Sequence, residues 1–168
     1  MKTIALPSQL RDISFTFITV IIMAFASLSA AHANDPILIV KGKVTGAPHV
    51  HSHETLNRFN QHTIRTTTDW TDGITEFQGP LARDILTVAE GAGDTVRAVA
   101  VNDYAVEIPM SDFWDYDVIL ATSMNGQPLS LRDKGPIWVV YPRDEHPELQ
   151  SVEHNDKWIW QLKEIIVK

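Results

Sequence analysis

The chain contains no cysteine. That excludes disulfides, thiolate nucleophiles and every metal site built on sulfur ligands, and it requires the core to hold by packing alone. Glycine is sparse, with 8 in 168 residues, and none is gathered into a phosphate-cradling loop; "EGAG", Glu90 to Gly93, reads as a helix stop. No nucleophile elbow or catalytic triad appears in the sequence. Positive charge is also scarce: 14 Lys and Arg stand against 21 Asp and Glu, a net charge of −7. Such a balance disfavours nucleic acid and anionic membrane surfaces as partners.

The one long apolar run, Ile13 to Leu28, follows a weakly basic start with Lys2 and Arg11 and precedes the small-residue pattern "AHA" at Ala31–Ala33. This is the pattern of a secretory signal cleaved after Ala33, with a membrane anchor as the rival reading. Residues 1–33 are therefore expected to be a signal peptide and residues 34–168 one mature domain in the periplasm, without stable membrane insertion. Losing Lys2, Arg11 and Asp12 removes +1 and takes the net charge from −7 to −8. A mature chain of 168 − 33 = 135 residues can bury one proper core.

The apolar, β-branched "PILIVKGKV" predicts an opening strand. "SHETLNRFNQ" predicts a short helix capped by Ser52, with Leu56 and Phe59 inward. "HTIRTTTDW" is β-prone through Thr and Ile. In "FQGPLARDILTVAEGAG", Pro80 suits a first helical turn, Leu81, Ile85, Leu86 and Ala89 make an apolar stripe, and Gly91 and Gly93 end it. Beyond the helix the period becomes two. "TVRAVAVNDYAVEIP" predicts a hairpin around Asn102 and Asp103, and "YDVILATSMNGQPLSL" one with Asn125-Gly126 at its tip. "GPIWVVYP" predicts a short buried strand, and "KWIWQLKEIIVK" alternates Trp158, Trp160 and Leu162 as a closing strand. There are no internal repeats.

Four stretches carry candidate chemistry. In "GAPHVHSHET" an extended chain puts His49, His51 and His53 on one face, but only His62 offers itself as a further ligand, so no metal site is expected. "RTTTDWTDG" gathers Thr66, Thr67, Thr68, Asp69 and Trp70; it reads as the wall of a pocket for a small polar or planar ligand, or as a β-prone run ending in a turn with Trp70 in the core. "LRDKGPIWVVYP" offers Arg132 and Lys134 as an anion-binding loop, or as a solvated turn with a local ion pair. "NDYAVEIP" aims Asn102 and Tyr104 at a pocket, or makes them a hairpin tip. The paired carboxylates Asp115 and Asp117, and Asp144 and Glu145, read as solvated surface.

Taken together, "TTTDWTDGITEFQGPLARDIL", "AVAVNDYAVEIPMSDFWDYDVILATSMNGQPLS" and "LRDKGPIWVVYP", with a Trp-containing last strand, resemble the small exported members of the oxidoreductase molybdopterin-binding domain family, which has the fold of sulfite oxidase. The resemblance runs roughly from Pro36 to Lys168. It implies an α+β fold, a compact mixed-sheet domain mostly of strands with one main helix, and a pocket that holds molybdopterin in the catalytic members. In those members a cysteine just before a Trp-bearing segment holds the metal, and the matching place here is Thr66, Thr67 or Thr68. A neutral hydroxyl is no substitute for a soft anionic thiolate. The phosphate-gripping basic residues are likewise thin, with only Arg65, Arg83, Arg132, Lys134 and Arg143 as candidates.

The expectation is a periplasmic binding module without catalytic residues and without a cofactor. Its ligand would be small and anionic or planar, held between Thr66–Trp70 and Asn102, Tyr104, Arg132 or Lys134; a periplasmic partner protein is the other candidate. The alternative is a molybdopterin-dependent oxidoreductase with non-cysteine metal ligation.

Overall fold

The closing segment of the chain lies at the centre of the fold. Strand β11, Leu162–Val167, runs parallel to β1, Pro36–Gly42, and antiparallel to β5, Thr95–Ala100. With β2, His49–Ser52, and β6, Ala105–Pro109, they form a five-stranded sheet in the order β2-β1-β11-β5-β6. The computed structural model describes residues 34–168, of which Pro36–Lys168 form one unit; the expected signal segment lies outside the described residues. A four-stranded sheet joins β3, Gln61–Thr66, β4, Thr75–Pro80, β8, Ser123–Met124, and β9, Gln127–Pro128. A third pair joins β7, Ile119–Ala121, to β10, Trp138–Val140.

Alternation decides which faces meet. Val96, Ala98 and Ala100 of β5 are buried with Leu38 and Val40 of β1 and Ile165 and Val167 of β11, while Arg97 points out. Strands β7 and β10 are buried at every residue, as strands covered on both faces must be. Helix α1, His53–Leu56, starts at Ser52 as expected: its hydroxyl accepts the Thr55 N–H (3.3 Å), and the Thr55 hydroxyl accepts the Ser52 N–H (2.8 Å). Helix α2, Ala82–Val88, buries Ile85 and Leu86. Helix α3 is one turn, Asp112–Asp115, and α4, Val152–Asn155, follows a 3-10 turn over Pro147–Gln150. Among the described residues no helix is long and apolar enough to cross a membrane.

Three local expectations need correcting. Pro80 ends β4 instead of opening α2, whose N-cap is Leu81. The helix is ended by Glu90 in the left-handed region (φ 48), ahead of the two glycines. The closing strand starts only at Leu162, because Gln161 adopts φ 53 and turns the chain between Trp160 and the sheet.

The histidine face is broken as well. His49 and His51 lie on β2, but His53 opens α1, and only His51 is buried, edge-on to Phe59 at 5.9 Å. Burial, reinforced by neighbouring His49, lowers the His51 pKa, and burial alone lowers that of His53. Both bind a proton less readily folded than unfolded, so their contribution to stability is full above the ordinary histidine value of 6.5 and is lost as the pH falls below it. The urea midpoint is therefore expected to drop between pH 7 and pH 5, and His51→Gln to flatten that drop; an unchanged pH slope in the variant would show that His51 is not its source.

Candidate functional site

Strand β3 delivers the threonines and then stops. Thr66 is fully buried, and its hydroxyl accepts the Asp144 N–H (3.2 Å) and donates to the Thr67 carbonyl (3.4 Å). Thr67 gives both its N–H (2.8 Å) and its hydroxyl (2.6 Å) to the Asp144 carboxylate. The Thr68 hydroxyl accepts the Trp70 N–H (3.0 Å) and shares a hydrogen bond with Thr71 (2.8 Å). All three hydroxyls are thus occupied by the protein itself. Asp144 is surface-exposed, yet it fastens this loop to the segment after β10.

Asp69 is held in the same way. Arg143 donates to one carboxylate oxygen (2.7 Å) and the Asn155 amide to the other. The loop from β3 is therefore tied to Arg143, Asp144 and Asn155 together, which fixes the place of Trp70. The Trp70 indole lies 5.5 Å from Trp160, 6.1 Å from Trp158 and 6.2 Å from Trp138, ring centre to ring centre. Trp138, fully buried, also takes Phe77 edge-on at 5.2 Å and donates its indole N–H to the Trp158 carbonyl (3.2 Å). Offset and edge-on arrangements at these distances are the favoured ones for aromatic pairs.

Beside this cluster lies a cavity of about 340 Å3 lined by Trp70, Ala100, Asn102, Tyr104, Asn155, Asp156, Trp158, Ile159 and Trp160. The β5–β6 hairpin forms one wall, with Asp103 in the left-handed region (φ 67) and the Asn102 side chain accepting the Tyr104 N–H (3.1 Å). Tyr104 is about half exposed at the mouth. A second, more open depression of about 580 Å3 is lined by Asp69, Trp70, Thr71, Asp72, Thr75, Met124 and Asn125.

Of the residues expected in a site, Trp70, Asn102 and Tyr104 come together in the first cavity, and Asp69 stands behind it through Asn155. Thr66, Thr67 and Thr68 serve the loop rather than either depression. Arg132 is exposed and lines neither. The Lys134 ammonium rests over the rings of Trp160 (4.8 Å) and Trp138 (5.2 Å). Asn155, Asp156, Trp158 and Trp160 also line the cavity; the sequence signal for the two tryptophans is the Trp-x-Trp spacing, which equally fits strand alternation, and Asn155 and Asp156 carry none. Arg143, a candidate for a phosphate, instead holds Asp69, and Asp144, expected as solvated surface, holds Thr67; both partnerships span more than seventy positions of the chain.

The family model described as "Oxidoreductase molybdopterin binding domain" matches residues 37–163. No curated protein matches the chain. Among solved structures, the sulfane dehydrogenase SoxCD from Paracoccus pantotrophus is similar at 22% identity with a TM-score of 0.59, over 77% of this chain and 37% of that one. That likeness is one of fold, and this chain spans little more than a third of its length.

The donor set here does not fit a molybdenum centre. The chain has no thiol, and the hydroxyls ahead of Trp70 are neutral and already bonded. Of the basic candidates for a pterin phosphate, Arg83 pairs with Asp117 (2.6 Å), Arg143 pairs with Asp69 (2.7 Å) and Lys134 lies on indole rings, while Arg65 and Arg132 are exposed and line neither depression.

Proposed function

We propose a function for this chain from the premise that it belongs to the oxidoreductase molybdopterin-binding domain family: it is a periplasmic binding module that keeps the family's fold and has given up the metal. Its occupant is a small ligand with a planar or compact apolar body, taken into the tryptophan-lined cavity. Support for the periplasm comes from the leader at residues 1–33 with its small-residue cleavage pattern.

One observation carries the reading. Where the resemblance puts the family's metal-binding cysteine, this chain has Thr66, Thr67 and Thr68, and their hydroxyls bond to Asp144, Thr67, Thr71 and Trp70. Soft, high-valent metals select thiolates over neutral oxygen, and groups further out orient a ligand without replacing it. The cavity next to the loop meanwhile has the size and the mostly apolar walls of a small-molecule site.

Elemental analysis of the protein isolated from its own periplasm, with fluorescence detection of oxidised pterin, tests this. The expected result is no stoichiometric molybdenum and no pterin. About one molybdenum per chain would make the protein an oxidoreductase with non-cysteine ligation.

A further inference from the structure

The walls of the tryptophan cavity share one electrostatic character. Trp70, Trp160 and Tyr104 are aromatic, Asn102 and Asn155 are neutral, and among the described residues the only charged lining residue is Asp156. Asp156 is exposed and, among the described residues, has no ion-pair partner. Asp69 stands one hydrogen bond behind, through Asn155, but its charge is paired with Arg143, so Asp156 alone supplies the net negative charge. Among the described residues no Lys, Arg or His lines the cavity, and the whole chain carries −7. An anion placed there would meet a carboxylate and the negative faces of aromatic rings. A cation would be attracted by both.

The cluster already holds one ammonium, since Lys134 lies within 5.2 Å of the ring centres of Trp160 and Trp138. These indoles are thus placed to receive positive charge. Resting on the small-ligand reading above, we propose that the cavity binds a small organic cation, a quaternary or aromatic ammonium, seated against Trp70, Trp160 and Tyr104 with Asp156 as its counter-charge. At about 340 Å3 the space lies at the lower end of the range of roughly 300 to 1,000 Å3 for ligand pockets, which suits a choline-sized or bicyclic molecule.

Calorimetric titration of the purified protein tests the charge directly. The probes are choline and N-methylquinolinium as cations, 3,3-dimethylbutanol as the uncharged isostere of choline, and benzoate as an anion. At least one cation is expected to bind, and choline, if it is that one, at least tenfold more tightly than its isostere. Asp156→Asn, at an exposed position where folding is not at stake, is expected to weaken cation binding by about tenfold, and Trp70→Phe to weaken it less. Lys134→Met removes a competing positive charge and is expected to leave cation binding equal or stronger.

Equal binding of choline and its isostere, or benzoate binding that falls in Lys134→Met, would overturn the cation assignment while leaving a small-ligand module. Binding of no probe would overturn the assignment as well. Neither result bears on the molybdenum content that tests the underlying reading.

Discussion

Asp112→Ala is expected to destabilise the protein by about 3 to 5 kcal/mol, the range for breaking a buried ion pair from one side. Asp112 opens α3 in the interior, and one of its carboxylate oxygens accepts from both the Lys157 ammonium (2.8 Å) and the Tyr141 hydroxyl (3.0 Å). The Lys157 and Asp112 side chains are 11% and 9% exposed, so neither has water to replace the other. Removing the carboxylate strands a nearly buried ammonium and a fully buried phenol together. Burial and the adjacent Asp112 charge push the Tyr141 hydroxyl well above its ordinary pKa, so it stays a neutral donor. Chemical denaturation of the wild type, Asp112→Ala and the double variant Asp112→Leu/Lys157→Met separates pairing from packing: the double variant is expected to regain a large part of the loss. A single variant within about 1 kcal/mol of wild type would mean that the pair contributes little, as exposed pairs do.

Gly79→Ala is expected to cost about 3 kcal/mol, the upper end of the range for overpacked interiors, or to prevent folding. Gly79 pairs with His62 across β3 and β4, and its other side lies against β7. An added Cβ would come within 2.7 Å of the Leu120 carbonyl carbon and 2.8 Å of the Ala121 Cα. These are backbone atoms, which have no rotamer to escape into. The approach is close because β4 connects two sheets here: just past Gly79 and Pro80, Leu81 makes a bridge to Ile119, and the Ala82 N–H donates to the Val118 carbonyl (2.9 Å). Gln78→Ala, one residue earlier and exposed, is the control and should stay within about 0.5 kcal/mol. A Gly79→Ala protein with a wild-type denaturation midpoint would show that β4 and β7 can separate without penalty.

Much of the fold was legible along the chain because its causes are local. Asn125 and Gly126 take positive φ (50 and 73) and form the tight turn that their residue types favour. Ser52 caps α1, period-two alternation marks β5 and β6, and the stripe of Ile85, Leu86 and Ala89 buries α2. Pro80 shows where local preference fails: a fixed φ suits a strand end as well as a helix start, and the pairing of Gln61 with Pro80 decides for the strand.

The site divides in the same way. The missing thiol was settled by the sequence, since no packing supplies a side chain that the chain does not contain, and the run of motifs from "TTTDW" to "GPIWVVYP" led to the family. What the threonines do was decided by tertiary structure alone. The sequence leaves their hydroxyls open to a ligand or to a β-prone run ending in a turn, whereas Thr66 and Thr67 bond across 78 and 77 positions to Asp144. The cavity is likewise a product of packing: Trp70 from one loop, Tyr104 from a hairpin and Trp160 from the approach to the last strand meet because the sheets bring them together. Turn chemistry and alternation act between residues a few positions apart. Which distant groups satisfy one another's hydrogen bonds and charges is fixed only when the whole chain has closed, and in this protein that closure makes the threonine hydroxyls loop fastenings and brings Trp158 and Trp160 into the walls of the cavity.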